Sequence, residues 1–401
     1  MRYLTESVSG IGGINKHVPE DFRVDEIPLE PFSGEGKFVL LRVRKRQLTT
    51  HEAVSRIARQ ARIRETDIGF AGIKDSRAVT TQWISVPARA WPSLRSARID
   101  GMEILEHTRH GTPLRPGRLT GNAFELIVRE VDRSALERAR EVLQTLEQRG
   151  VPNLFGPQRF GVKNDSDLIG CSLLREDFSE ALRLFLGAPS PLERDRRIHR
   201  ARRQFEDGEL ERALESFPHW LRNERRVLRH YLKTDNPAAA MAKLPKNLRL
   251  LFISAHQSRL FNRCLEQRMP DLDQVMDGDV LYDHESGEAQ PAAHFSDASE
   301  RVRDRRFSPA GPLFGPGLVR ATGPAGALED EVFAADGTDP ELEWAPFPDL
   351  HLKGERRPYR ILLREVEVDM VSEGLRLRFA LPRGAYATSV LAEVQKADTP
   401  T

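Results

Sequence analysis

The chain has 401 residues, of which 39% are hydrophobic and 30% charged, with a mean hydropathy of −0.49 and a net charge of +1. That length predicts two domains, or one domain with a large insertion; no apolar run approaches the roughly 20 residues that span a bilayer, and Met1–Ser7 lacks the apolar core of a secretory signal. The two cysteines, Cys171 and Cys264, are far apart and outside any CxxC, so neither a disulfide framework nor a zinc site is supported, and a reducing cytoplasm is the expected compartment.

Taken in chain order, Phe38–Val43 predicts a strand with Val39, Leu41 and Val43 on one face. Thr49 and Glu52 have capping-box spacing, and open a helix with Ala53, Val54, Ile57, Ala58 and Ala61 along one stripe. Ile68–Ile73 and Val79–Val86 read as two strands joined by the polar turn Lys74-Asp75-Ser76-Arg77. Gly121-Asn122 leads into a strand with Phe124, Leu126 and Val128 on one face. Ser134 and Glu137 are placed to cap the next helix and Gly150 to end it. From about Val151 to Lys246 helical, arginine-rich segments dominate, and an apolar helix follows at about Leu250–Arg268. Residues 284–346, rich in Gly, Pro, Ala and acids, read as loops with short strands. Alternation returns at Val366, Val368 and Met370. Glu373-Gly374 supplies a turn, and Leu375, Leu377 and Phe379 form the second arm of a hairpin. Strand-rich ends around a helical middle predict an α+β domain split by an inserted domain.

Basic clusters occur at Arg42–Arg46, Arg194–Arg203, Arg222–Arg229 and Arg301–Arg306. Each is a solvated face or a phosphate-binding surface; the excess of arginine over lysine favours phosphate, because guanidinium makes planar, bidentate contacts. The sharpest local feature is Gly69-Phe70-Ala71-Gly72-Ile73-Lys74-Asp75-Ser76-Arg77-Ala78-Val79-Thr80-Thr81-Gln82. Its glycines permit close backbone approach or positive φ just before an acid. Asp75 either satisfies the amides of its own turn or, beside cations that favour the ionised carboxyl, serves as nucleophile or base.

Six segments, in order, resemble the TruD family of pseudouridine synthases. Ala71, Gly72, Lys74, Asp75, Ala78, Thr80 and Gln82 match its Ala-Gly-x-Lys-Asp signature. Lys16 before Pro19-Glu20-Asp21-Phe22, and Gly117 to Phe124 with Gly121-Asn122, match two more. Pro152-Asn153 to Gly161 with Gln158-Arg159-Phe160, Ser254 to Asn262, and Leu381 to Thr388 complete the set.

The resemblance implies a pseudouridine synthase catalytic domain with a mixed β-sheet, at 1–152 plus 343–401, split by a TruD-type insertion domain at 153–342. It implies an isomerase acting on a specific uridine of tRNA, typically position 13, with RNA as partner and with neither cofactor nor metal. Asp75 takes the catalytic position. Lys16, Lys74, Asn122, Phe124 and Arg159 are the expected substrate-binding residues: Lys16 pairs with Asp75 or holds a phosphate, Asn122 bonds the carboxylate or the base edge, and Phe124 stacks on the uracil. Phe124 has no hydroxyl to act as a base, which leaves removal of the C5 proton to Asp75. Beside these stand plainer readings: Phe124 as core, Asn122 as a turn residue, Lys74 as a surface charge, Arg159 as an interdomain ion pair, His256 and Ser258 as structural. A monomer is expected, with no membrane contact. The alternative function is a catalytically silent RNA-binding protein on the same scaffold. A third class, a metal-dependent hydrolase, would need clustered His and carboxylate ligands, whereas His107 and His110 have only each other nearby and no HExxH occurs. About sixty residues between Cys171 and Asn236 exceed the shortest bacterial members of the family.

Overall fold

Residues whose side chains alternate between apolar and polar build the first part of the molecule, because a strand sends successive side chains to opposite faces. The computed structural model describes residues 2–29, 31–339, 350 and 352–396. The chain divides into two units: the described residues up to Val151 with those from Ile361 onward, and Pro152–Arg360.

The first unit is one eight-stranded sheet. Its strands are β1 (Phe22–Pro28), β2 (Phe38–Arg46), β3 (Gly69–Phe70), β4 (Val79–Pro87), β5 (Met102–His110), β6 (Leu119–Val128), β7 (Arg364–Val371) and β8 (Gly374–Pro382). The order is β7-β8-β6-β1-β4-β2-β5, with β3 beside β4. β1 and β4 run parallel and the other pairs antiparallel, so the sheet is mixed. The helix Thr50–Ala61 lays Val54, Ile57 and Ala58 on Val39, Leu41, Val43, Ile84 and Val86. Helices Ala135–Arg149 and Ala387–Gln395 bury Val142, Leu146, Val390 and Val394 with Leu126, Val128, Leu375 and Leu377.

Thr49 and Glu52 form the capping box: Glu52 N–H donates to Thr49 Oγ1 at 3.1 Å and Thr49 N–H to Glu52 Oε2 at 2.9 Å. Gly150, at φ 93°, ends the helix that follows β6. The hairpin closes with Val371 opposite Gly374. Three local expectations change. Ser134 makes no side-chain cap; its backbone is already helical and its hydroxyl donates to Asp132 Oδ1 at 2.7 Å. Ile68–Ile73 yields only the two-residue β3, because beyond Phe70 the backbone bonds side chains and the loop amide of Gly117 rather than a neighbouring strand. Within 284–346, Gly323–Asp336 is a helix. Its inward face carries Ala325, Gly326 and the acid Glu329, which pairs with buried Arg356, so the apolar stripe that betrays a helix is interrupted.

The second unit is helical from Ser166 to Thr234 in five successive helices, two of them Arg196–Glu206 and Arg222–Thr234, followed by Pro237–Met241 and the 23-residue helix Lys246–Arg268. A four-stranded sheet, ordered 355–358, 307–313, 280–283, 289–291, completes it. The chain returns to the first unit at Ile361; the point between 342 and 343 at which the sequence suggests that return lies outside the described residues.

Candidate active site

The site is built where the parallel strands β1 and β4 lie side by side. The loop from Ala71 to Ala78 enters β4, and its backbone is held at successive points. Gly117 N–H donates to Ala71 O at 2.8 Å, and Gln82 Nε2 to Gly72 O at 3.2 Å. Lys74 N–H donates to Thr50 Oγ1 at 3.0 Å, and the same hydroxyl donates to Gln82 Oε1 at 3.0 Å. Lys45 Nζ donates to Asp75 O at 3.3 Å and to Leu48 O at 2.5 Å, and Gln47 N–H to Ala78 O at 3.1 Å. The two glycines serve close approach rather than positive φ. A Cβ on Gly69 would lie 2.2 Å from Leu114 O, and one on Gly72 would lie 3.0 Å from Lys74 Nζ.

At the tip of this loop the Asp75 side chain is 46% exposed and takes Lys16 Nζ at 2.6 Å. Among the described residues it accepts no backbone amide, so the plain reading of Asp75 as a group serving its own turn is not what the loop contains. Lys16 sits at φ 52°, a left-handed conformation that costs a non-glycine residue on the order of 1 kcal/mol. Its ammonium lies 4.0 Å over the Phe22 ring. Phe22 in turn meets Phe124 edge-on at 6.3 Å, and Phe124 stacks on Phe379 at 5.5 Å. Phe124 is thereby part of the core, with 8% of its surface left exposed.

Lys74 is no surface charge. Its side chain and that of Glu26 are 4% and 1% exposed, with Nζ 2.5 Å from Oε2. The other Glu26 oxygen accepts Trp83 N–H at 3.2 Å. Glu26 stands opposite Asn122 in the β1–β6 ladder, and Asn122 Oδ1 is buried with no partner. An acceptor left that way is costly unless something supplies a donor. Burial, with Lys74 nearby, pulls the Lys45 ammonium down to about 8, against the pull of Asp75 and Glu52.

Lys16, Lys74, Asp75, Asn122 and Phe124 thus lie on one connected patch of the first unit. Arg159 belongs to the second, where Nε donates to Ser258 Oγ at 2.9 Å and Nη2 to Ser254 O at 3.4 Å. Glu26 and Lys45 escaped the sequence reading, yet each had a signal. Glu26 keeps step with inward Phe22 and Val24, and Lys45 with buried Val39, Leu41 and Val43. A charge in phase with an apolar face must be paired inside.

The second unit holds a separate group, Cys171, His256 and Asp336, whose ligand atoms lie within 4.8 Å of one another. Asp336 also takes Arg263 at 2.8 Å and Thr338 Oγ1 at 2.6 Å, and faces His256 Nε2 at 3.2 Å. Burial alone would lower the His256 pKa; hydrogen bonds to Asp336 and Cys171 outweigh it and raise the ring to about 9.

A family model described as tRNA pseudouridine synthase D (TruD) matches residues 1–394. A tRNA pseudouridine synthase D of Syntrophotalea carbinolica is 38% identical over 99% of each chain. One of Geobacter sulfurreducens is 40% identical over 98% of this chain and 97% of its own. A probable tRNA pseudouridine synthase D of Thermococcus onnurineus is 39% identical over 98% and 97%. These bacterial and archaeal proteins match this chain nearly end to end. The crystal structure of a putative tRNA pseudouridine synthase D from Methanosarcina mazei superimposes with a TM-score of 0.86 at 28% identity, over 99% of this chain and 96% of that one.

Proposed function

The chain belongs to the TruD family, and from that premise we propose that it isomerises a uridine of tRNA, at position 13, to pseudouridine, with Asp75 as the reacting carboxylate. The observation that carries this reading is the Asp75 side chain, half exposed on a loop braced from several elements, with its carboxylate committed to Lys16 and not to its own turn. Rigid support behind an accessible charge is what positioned chemistry requires.

The reaction breaks the bond from ribose C1′ to uracil N1. The base rotates, C1′ joins C5, the C5 proton departs and N1 ends protonated. No atom is gained or lost, and no oxidant, reductant or co-substrate is needed. Asp75 attacks C1′ or balances the charge that develops there, and then takes the C5 proton, which Phe124 cannot do. Lys16 keeps the carboxylate oriented until the target nucleotide, flipped from its stack, reaches it. Asn122 Oδ1 lacks a donor, and uracil N3–H is a donor of the right kind. Phe124 forms the floor beneath the base. Lys74 acts through Glu26 to fix the loop rather than by touching RNA.

Asp75→Asn keeps the shape and removes the charge. Single-turnover conversion of bound tRNA should fall to near zero while affinity and melting temperature stay close to those of the parent. Near-normal turnover would remove Asp75 from the reaction. A silent RNA-binding protein would bind tRNA but form no pseudouridine even with Asp75 intact.

A further inference from the structure

Two helices of the second unit carry the same pattern. Arg196, Arg200 and Arg203 stand at i, i+4 and i+7 on Arg196–Glu206; Arg222, Arg226 and Arg229 stand at the same steps on Arg222–Thr234. That spacing puts each set on one helix face. All six are exposed, while Ala201 and Arg202 on the first helix, and Val227 and Leu228 on the second, are buried. Among the described residues none of the six has an ion-pair partner, although other arginines of the first helix do. Arg202 pairs with Glu193 at 2.7 Å, and Arg197 with Asp195 at 2.8 Å.

A contact links the first helix to the start of the second: the Arg197 guanidinium lies 4.7 Å over the ring of Trp220, which is 59% exposed just before Arg222. Asp195, which accepts from both Nε and Nη2 of Arg197, fixes that guanidinium in place.

A solvated helix face ordinarily alternates its charges. Like charges at i and i+4 weaken a helix, and an exposed tryptophan gives up burial. Two arginine stripes without ion pairs, on helices linked through an exposed indole, become favourable when an anionic chain carrying planar bases lies across them. Guanidinium grips phosphate oxygens in pairs, and an aromatic face stacks on any unpaired base.

We infer that Arg196, Arg200, Arg203, Arg222, Arg226 and Arg229, together with Trp220, form a second RNA-binding surface, which holds the tRNA backbone and stacks one unpaired base on the indole. This rests on the reading of the chain as a tRNA-modifying enzyme. It adds a place and a mode of contact that the catalytic loop does not provide.

The first measurement uses the unaltered protein. Arginine modification by phenylglyoxal, mapped by mass spectrometry, should slow at least about fivefold at these six positions when tRNA is added. The second measures tRNA affinity against salt. Replacing Arg196, Arg200 and Arg203 with Gln should reduce the slope of log K against log salt by up to about 2.7, three contacts at about 0.9 each. Trp220→Ala should weaken binding roughly tenfold and leave the slope alone, because stacking releases no counterion. Equal modification with and without tRNA, an unchanged slope, or protection by phosphatidylglycerol vesicles but not by tRNA would each overturn the inference. The functional reading stands or falls separately, on whether the unaltered protein forms pseudouridine at all.

Discussion

Replacing Lys74 with Met leaves the Glu26 carboxylate, 1% exposed, without the ammonium that now lies 2.5 Å away. Breaking a buried ion pair from one side typically costs about 3–5 kcal/mol. The variant's deficit should therefore be about 3–5 kcal/mol, because among the described residues the remaining charge pairs with no other side-chain cation and its burial was set by the pair. Native-state hydrogen exchange at the β4 amides, including that of Trp83, reads this in the first unit alone. The double variant Lys74→Met with Glu26→Leu should recover most of the loss, since a buried pair replaced by apolar side chains is often neutral. A deficit under about 1 kcal/mol, or a double variant as weak as the single one, would refute the argument that Lys74 is a buried anchor of the catalytic loop.

Lys16→Met should change the melting temperature little, because its pair with Asp75 is partly exposed and such pairs contribute about 0–1 kcal/mol. It should nevertheless slow single-turnover conversion about tenfold or more, and equal loss of rate and stability would argue for a structural role only. For His256, whose folded pKa is raised to about 9, the stabilising contribution is complete below the unfolded value of about 6.5 and is lost as pH rises through about 9. The melting-temperature gap between the parent and His256→Gln should accordingly be widest near pH 6 and narrow by pH 10; a constant gap would refute it. Because the isomerisation is balanced in itself, turnover of prefolded tRNA should survive EDTA and dialysis, and a requirement for added divalent ion on such RNA would count against the proposed chemistry.

Local sterics made much of the first unit legible in the sequence. Period-two alternation identified β2, β6 and the terminal hairpin, and the spacing of Thr49 and Glu52 identified the start of a helix, because strand faces and helix caps are set by residues a few positions apart. The loop around Asp75 stood out through its glycines and flanking cations, and ordered motif matches tied Lys16, Asn122 and Phe124 to it. What holds that loop did not follow from local pattern. Lys74 finds Glu26, Lys45 finds the Asp75 carbonyl and Lys16 finds the Asp75 carboxylate only once β1 lies parallel to β4 and β2 pairs along β4. Those partners are dozens of residues apart in the chain, and sheet order, not sequence spacing, decides which charges become neighbours in a region too dry to leave them unpaired. The arginine stripes divide in the same way. Their spacing is written in the sequence, but the burial of Arg202 and Arg197's hold on Trp220 depend on packing, because only the packed helices decide which guanidinium groups are used up internally and which remain for a partner.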